Sequence, residues 1–187
     1  MSGTPRRSVL RGIFRVAIGK SDGLLQFGAT PQSYLSSLAP LLAFPVAGSI
    51  LSVFNQGPRV AVTSLTVALC ALLTPAVVAY ELARLWGRTD GWARFATAFN
   101  WCEWILLFAF CLMMLPLSLA VGAGVSPDVA TLAGFSCLGL YGMWLHWFLA
   151  RKALRLSGGR AVVLVLAVNF ATALIVIGPL VLAGGAG

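Results

Sequence analysis

The chain has 187 residues, of which 59% are apolar and 10% charged, with a net charge of +8 at pH 7. Soluble domains of this size carry about a quarter charged residues, so this composition excludes a water-facing globule, and a mean hydropathy of +0.93 excludes disorder. The expected fold is an all-α integral membrane protein, a five-helix bundle preceded by an amphipathic helix.

Residues 1–33 form a basic lead-in with Arg6, Arg7, Arg11, Arg15 and Lys20. The string Arg6-Arg7-Ser8-Val9-Leu10 carries the twin arginines of an export signal, but Arg11, Arg15 and Lys20 interrupt any apolar stretch, and no cleaved signal is expected. A helix over 8–18 puts Val9, Leu10, Ile13, Phe14, Val16 and Ala17 on one broad face, with Arg11 and Arg15 opposite beside Ser8 and Gly12. That pattern predicts a helix lying in the membrane interface, its arginines among anionic headgroups. Residues 21–32, with their glycines and Pro31, read as a linker.

Five charge-poor runs follow, at about 34–54, 60–80, 99–123, 129–150 and 161–183, before a tail at 184–187. The first two hold 21 residues each, which at a rise of about 1.5 Å per residue crosses a core of ~30 Å. Pro40, Pro45, Pro75, Pro116 and Pro179 fall inside runs and predict kinks or room for rocking. Asn55-Gln56-Gly57-Pro58-Arg59 and residues 122–128 are short turns. Cys70, Cys102, Cys111 and Cys137 lie in apolar runs without a Cys-x-x-Cys pair and read as core residues.

Twelve of the thirteen Lys and Arg side chains fall on the same side of this alternation, with Arg59 alone opposite. Basic segments stay cytoplasmic, which predicts an inner-membrane protein of bacterial type with its amino terminus inside and its carboxy terminus outside. The distribution also accounts for the net charge, so no nucleic-acid partner is expected. The partners expected are the bilayer, with anionic lipids at the cytoplasmic leaflet, and a membrane-protein partner or a second copy. Trp86, Trp92, Trp101, Trp104, Trp144 and Trp147 all fall near the basic side, joined by Tyr34 and Tyr80. Interfacial anchoring is the bland reading; with Arg88, these tryptophans are also the candidate cytoplasmic interaction face.

Ionisable side chains inside a span are costly and mark sites. Glu103 lies about 6 Å into the third span by helical rise, and His146 lies at a similar depth in the antiparallel fourth. His146 shares a face with Gly139, Gly142 and Met143, where helices approach closely. Asn100 is one turn from Glu103, so an Asn100–Glu103–His146 cluster is geometrically open. It reads either as a buried contact fixing helix register or as a proton-responsive site; Glu103 meeting Arg94 is a third option. Asn169, near mid-bilayer, reads as a helix–helix hydrogen bond or as part of a polar path with Thr66 and Thr74.

One histidine rules out a multi-His metal site. There is no Gly-x-Ser-x-Gly elbow, no phosphate loop and no His-Glu-x-x-His string; Ser157-Gly158-Gly159-Arg160 lacks the loop's lysine, and Ser136 is ten residues from His146 on one helix. No enzyme activity, cofactor or metal is expected. The basic lead-in, Gly23-Leu24-Leu25-Gln26-Phe27, Ala98-Phe99-Asn100-Trp101, Trp147-Phe148-Leu149-Ala150-Arg151 and the five spans together resemble the small bacterial five-span proteins grouped with the Yip family. The resemblance implies an integral membrane protein of unknown role; the acidic-Leu-aromatic-Gly-Pro motif of the eukaryotic, traffic-related members does not occur. The expected function is a non-enzymatic membrane scaffold or interaction protein, with a small permease or proton-coupled carrier as the alternative.

Overall fold

The computed structural model describes residues 8–184; Arg6, Arg7 and residues 185–187 lie outside it. Five helices are long and apolar enough to cross a membrane, the architecture of an integral membrane protein: α2 (Pro31–Gln56), α3 (Pro58–Leu85), α4 (Trp92–Gly122), α5 (Pro127–Ala153) and α6 (Gly158–Gly184). A nine-residue helix, α1 (Val9–Ala17), and a 3-10 helix at Ser21–Gln26 precede them.

Helix starts follow local chemistry. Thr30 accepts from the Ser33 amide and Pro31 opens α2, while Ser126 accepts from the Val129 amide and Pro127 opens α5. Between α2 and α3 the turn is a single residue, Gly57 at φ 90°, followed by Pro58 at the first turn of α3. The helices outrun the apolar runs at most ends because polar flanks such as Glu81–Arg84 keep helical backbone after the apolar signal stops. Helix runs unbroken through Pro40, Pro45, Pro75, Pro116 and Pro179.

The helices close into a ring in the order α2, α3, α6, α5, α4 and back to α2, with α3 also touching α4 across it. Arg84, Arg88, Arg94, Arg151, Lys152, Arg155 and Arg160 cluster with the lead-in at one end, called here the basic end; Arg59 stands at the other. The core is concentrated in that half: Ala79 and Ala83 of α3, Phe95 to Ile105 of α4, Leu145 to Ala150 of α5, and Ala161, Leu164 and Val168 of α6. Towards the opposite end large apolar side chains face outward, as Phe54, Leu119 and Leu132 do. In lipid such exposure is neutral, because chains of CH₂ solvate leucine as well as a protein core does.

The lead-in is more folded than its sequence suggests. Residues 21–26 do not form a plain linker: they turn back onto α1 as a 3-10 helix. Arg15 and Asp22 form a two-pronged ion pair, and the Ser8 amide donates to Gln26 Oε1 at 3.1 Å. Gly12, grouped by the helical wheel with the arginines, is buried in this contact. A Cβ there would lie 2.9 Å from Gln26 Cβ and 3.1 Å from the Gly23 carbonyl oxygen, so only glycine lets the two segments close. The apolar face of α1 divides. Ile13 and Val16 join the bundle core, whereas Leu10, Phe14 and Ile18 stand 67–71% exposed in one stripe. The Tyr141 hydroxyl donates to the Ala17 carbonyl at 3.1 Å, fixing the end of α1 on α5.

Candidate functional site

Of Asn100, Glu103 and His146, expected to cluster, the structure brings the last two together. His146 Nε2 lies 3.2 Å from Glu103 Oε1, bridging α5 and α4. Nε2 is buried and lies off the line of a hydrogen bond to that oxygen, so the contact is one of proximity. The imidazole stacks on Phe99 at 4.3 Å between ring centroids. The small-residue face of α5 explains the approach in part: Gly142 is buried against Leu106, whereas Gly139 faces open space. Glu103 keeps about a third of its side chain exposed (34%) and reaches a groove between α2 and α4 lined by Leu41, Phe44 and Leu107. It pairs with His146 and not with Arg94.

Asn100 goes elsewhere. It is buried and its amide donates to Ser37 Oγ of α2 at 3.0 Å, while that hydroxyl donates to the Tyr34 carbonyl at 2.7 Å. The wheel of one helix cannot reveal a partner 63 residues away. Asn169 faces outward on α6 and donates to its own Val165 carbonyl at 2.8 Å. Thr66 and Thr74, its expected companions on a polar path, likewise donate to carbonyls four residues back in their own helix, Val62 and Cys70. Each such bond satisfies the hydroxyl or amide within its helix, as a low-dielectric setting requires. The polar residues therefore form one pair, one buried hydrogen-bond chain and several self-satisfied groups.

The aromatic residues of the basic end act mostly between helices. Trp92 donates from Nε1 to the Ala76 carbonyl at 2.9 Å and packs on Tyr34 and Tyr80, with centroids at 5.4 and 5.3 Å. One indole thus ties α4 to α2 and α3. Trp147 donates to the Gly158 carbonyl at 3.1 Å, joining α5 to α6, and carries Arg151 over its ring at 5.2 Å. Trp86 at the end of α3 lies under Arg160 of α6 at 5.9 Å. Trp104 packs on Phe44 of α2, and Trp101 packs against the core. Trp144 is the exposed one, at 39%, stacked between Tyr141 and Phe148. The charges are differently disposed. Of the ten described cations at the basic end, Arg15 pairs with Asp22 and Arg84 with Glu81; the other eight have no carboxylate within 4 Å among the described residues. All but Arg94 of those eight are exposed.

The described residues contain no group of three or more His, Cys, Asp or Glu able to hold a metal ion. No protein-family model, curated protein or solved structure matches the chain.

Proposed function

We propose that the protein is a non-enzymatic membrane scaffold whose working surface is the basic end of the bundle, turned to the cytoplasm. The observation that carries this reading is the set of eight cations without carboxylate partners, gathered on a rigid, well-packed half of the molecule. Cations at one end of a bundle hold it in the positive-inside sense, and unpaired ones offer an acidic partner charge complementarity that steers association. The indoles enter this reading mainly as its frame: Trp86, Trp92, Trp101, Trp104 and Trp147 hold the helix ends that display the charge, and Trp144 alone adds an exposed ring. The stripe of Leu10, Phe14 and Ile18 beside Arg11 is the amphipathic face that would sit in the headgroup layer. This is a bacterial inner-membrane setting, in keeping with the Yip-like resemblance.

The carrier reading draws on the Glu103–His146 pair alone, since Asn100 and Asn169 are bonded elsewhere. The test is charge reversal. Membranes carrying the tagged chain should yield a stoichiometric acidic partner, lost from Arg151→Glu/Arg160→Glu and retained by Arg59→Glu at the opposite end. A partner set identical in all three preparations contradicts the proposal.

A further inference from the structure

Three segments of the basic end meet around a cleft of about 440 Å³: the 3-10 helix, the turn from α3 into α4, and the turn that ends α5. Four cations line it, Arg88, Arg94, Lys152 and Arg155, against one carboxylate, Asp90. Asp90 forms no ion pair with any of them. Four like charges around so small a space repel one another unless an anion lies between them.

Details of the backbone point the same way. Arg94 Nε is buried without a hydrogen-bond partner, a donor with nothing to donate to. Gly91, the residue before α4, lines the cleft and closes a 3-10 turn over Thr89–Gly91, in which the Trp92 amide donates to the Thr89 carbonyl. A Cβ on Gly91 would collide with the Ala153 carbonyl oxygen, so glycine allows the start of α4 to press on the last turn of α5 and bring Arg94 and Lys152 to one cleft. Arg155 follows the C-cap Leu154 of α5 with φ 53°, the left-handed position that glycine usually takes. An arginine held there at a steric cost is better explained by its guanidinium than by its backbone.

We propose that this cleft binds a phosphate ester, supplied either by the headgroup of an anionic phospholipid or by a soluble phosphorylated compound. A phosphoryl group has the charge and the several acceptor oxygens that guanidinium and ammonium groups together satisfy. Basic pockets at the cytoplasmic ends of spans take lipid phosphates in this way, and the exposed Leu25 on the cleft wall suits an acyl-bearing ligand. The proposal stands on the cleft and is separate from the protein-partner reading; its test uses other residues.

The whole chain in neutral maltoside micelles is melted by loss of helicity in the presence of phosphatidylglycerol, inorganic pyrophosphate or, as a neutral lipid, phosphatidylcholine. A ligand of the folded state raises the melting temperature with its concentration. Stabilisation by phosphatidylglycerol alone identifies a headgroup site, and stabilisation by pyrophosphate identifies a site for soluble phosphates. The half-saturating concentration should rise about tenfold in Arg94→Gln and in Lys152→Gln, the loss of one charge-assisted contact. It should not change in Arg11→Gln/Arg84→Gln, which removes charge outside the cleft. Arg155→Gly keeps the left-handed turn without its steric cost, so the unliganded protein should melt no lower than wild type while binding weakens about tenfold. No stabilisation by either phosphate source, an equal loss in Arg11→Gln/Arg84→Gln, or wild-type binding by Arg155→Gly overturns the proposal.

Discussion

Trp92 offers the sharpest perturbation, because its two readings predict opposite outcomes. As a staple it holds three helices through one hydrogen bond to the Ala76 carbonyl and two aromatic contacts, with Tyr34 and Tyr80. Trp92→Phe keeps an aromatic ring and loses the N–H donor. Interhelical hydrogen bonds in membranes average ~0.6 kcal/mol with a maximum of ~1.7, so a loss of about 1 kcal/mol is expected. Trp92→Ala also removes both aromatic contacts, at about 1 kcal/mol each, for a total of about 3 kcal/mol, at the lower edge of ~3–5 for buried Trp→Ala changes. Trp144, 39% exposed and stacked on two residues of its own helix, should cost about 1 kcal/mol when changed to Ala. Unfolding in mixed micelles titrated with a denaturing detergent, followed by helicity, measures all three. A wild-type midpoint for Trp92→Ala, together with loss of a bound partner, would refute the staple and return Trp92 to a docking face.

Other outcomes follow from the polar contacts. Asn100→Leu should lower stability by about 0.6 kcal/mol, since Ser37 keeps its bond to the Tyr34 carbonyl; a double-mutant cycle with Ser37→Ala measures the coupling. His146→Leu leaves the Glu103 carboxyl without its neighbour and should destabilise more than Glu103→Leu/His146→Leu, which removes both polar groups; the same detergent titration ranks them. Gly12→Ala should cost about 1–3 kcal/mol through overpacking against Gln26 and Phe27, read as faster hydrogen exchange over residues 8–27. The Arg15 guanidinium holds the Asp22 carboxyl below its ordinary value of 3.8. A lowered folded pKa stabilises above 3.8 and is lost as pH falls through the lower, folded value. Protection over the same segment, taken against the intrinsic exchange rate at each pH, should therefore fall only below about that pH, and Asp22→Asn should abolish the step.

The five long helices were legible because apolar length is a one-dimensional property, independent of which neighbour each helix meets. The Glu103–His146 contact was legible for a related reason: two polar residues at equal depth on antiparallel neighbours have few places to go. Asn169 was not. Helix α6 is apolar on all sides, so its wheel gives no inward face, and the asparagine faces out. Asn100 was assigned to the wrong neighbour because the helix ring places α2 beside α4, an adjacency that chain order does not contain. The lead-in was half legible. Its arginines and apolar face were evident, but the fold-back at Ser21–Gln26 depends on Gly12 and Gly23 meeting across a turn, and paired glycines carry no periodic signal. The tryptophans were correctly placed at one end and incompletely interpreted, since an indole that anchors at a membrane surface and one that bridges two helices look alike in sequence.

In the proposed function, cations hold the basic end of the five-span bundle on the cytoplasmic side. Paired reporters, one active only outside the membrane and one fluorescent only inside, should be fused after Gly187 and, in a truncated chain, after Arg155. The expected result is outside activity at Gly187 and inside fluorescence at Arg155; fluorescence from a reporter after Gly187 would contradict that orientation.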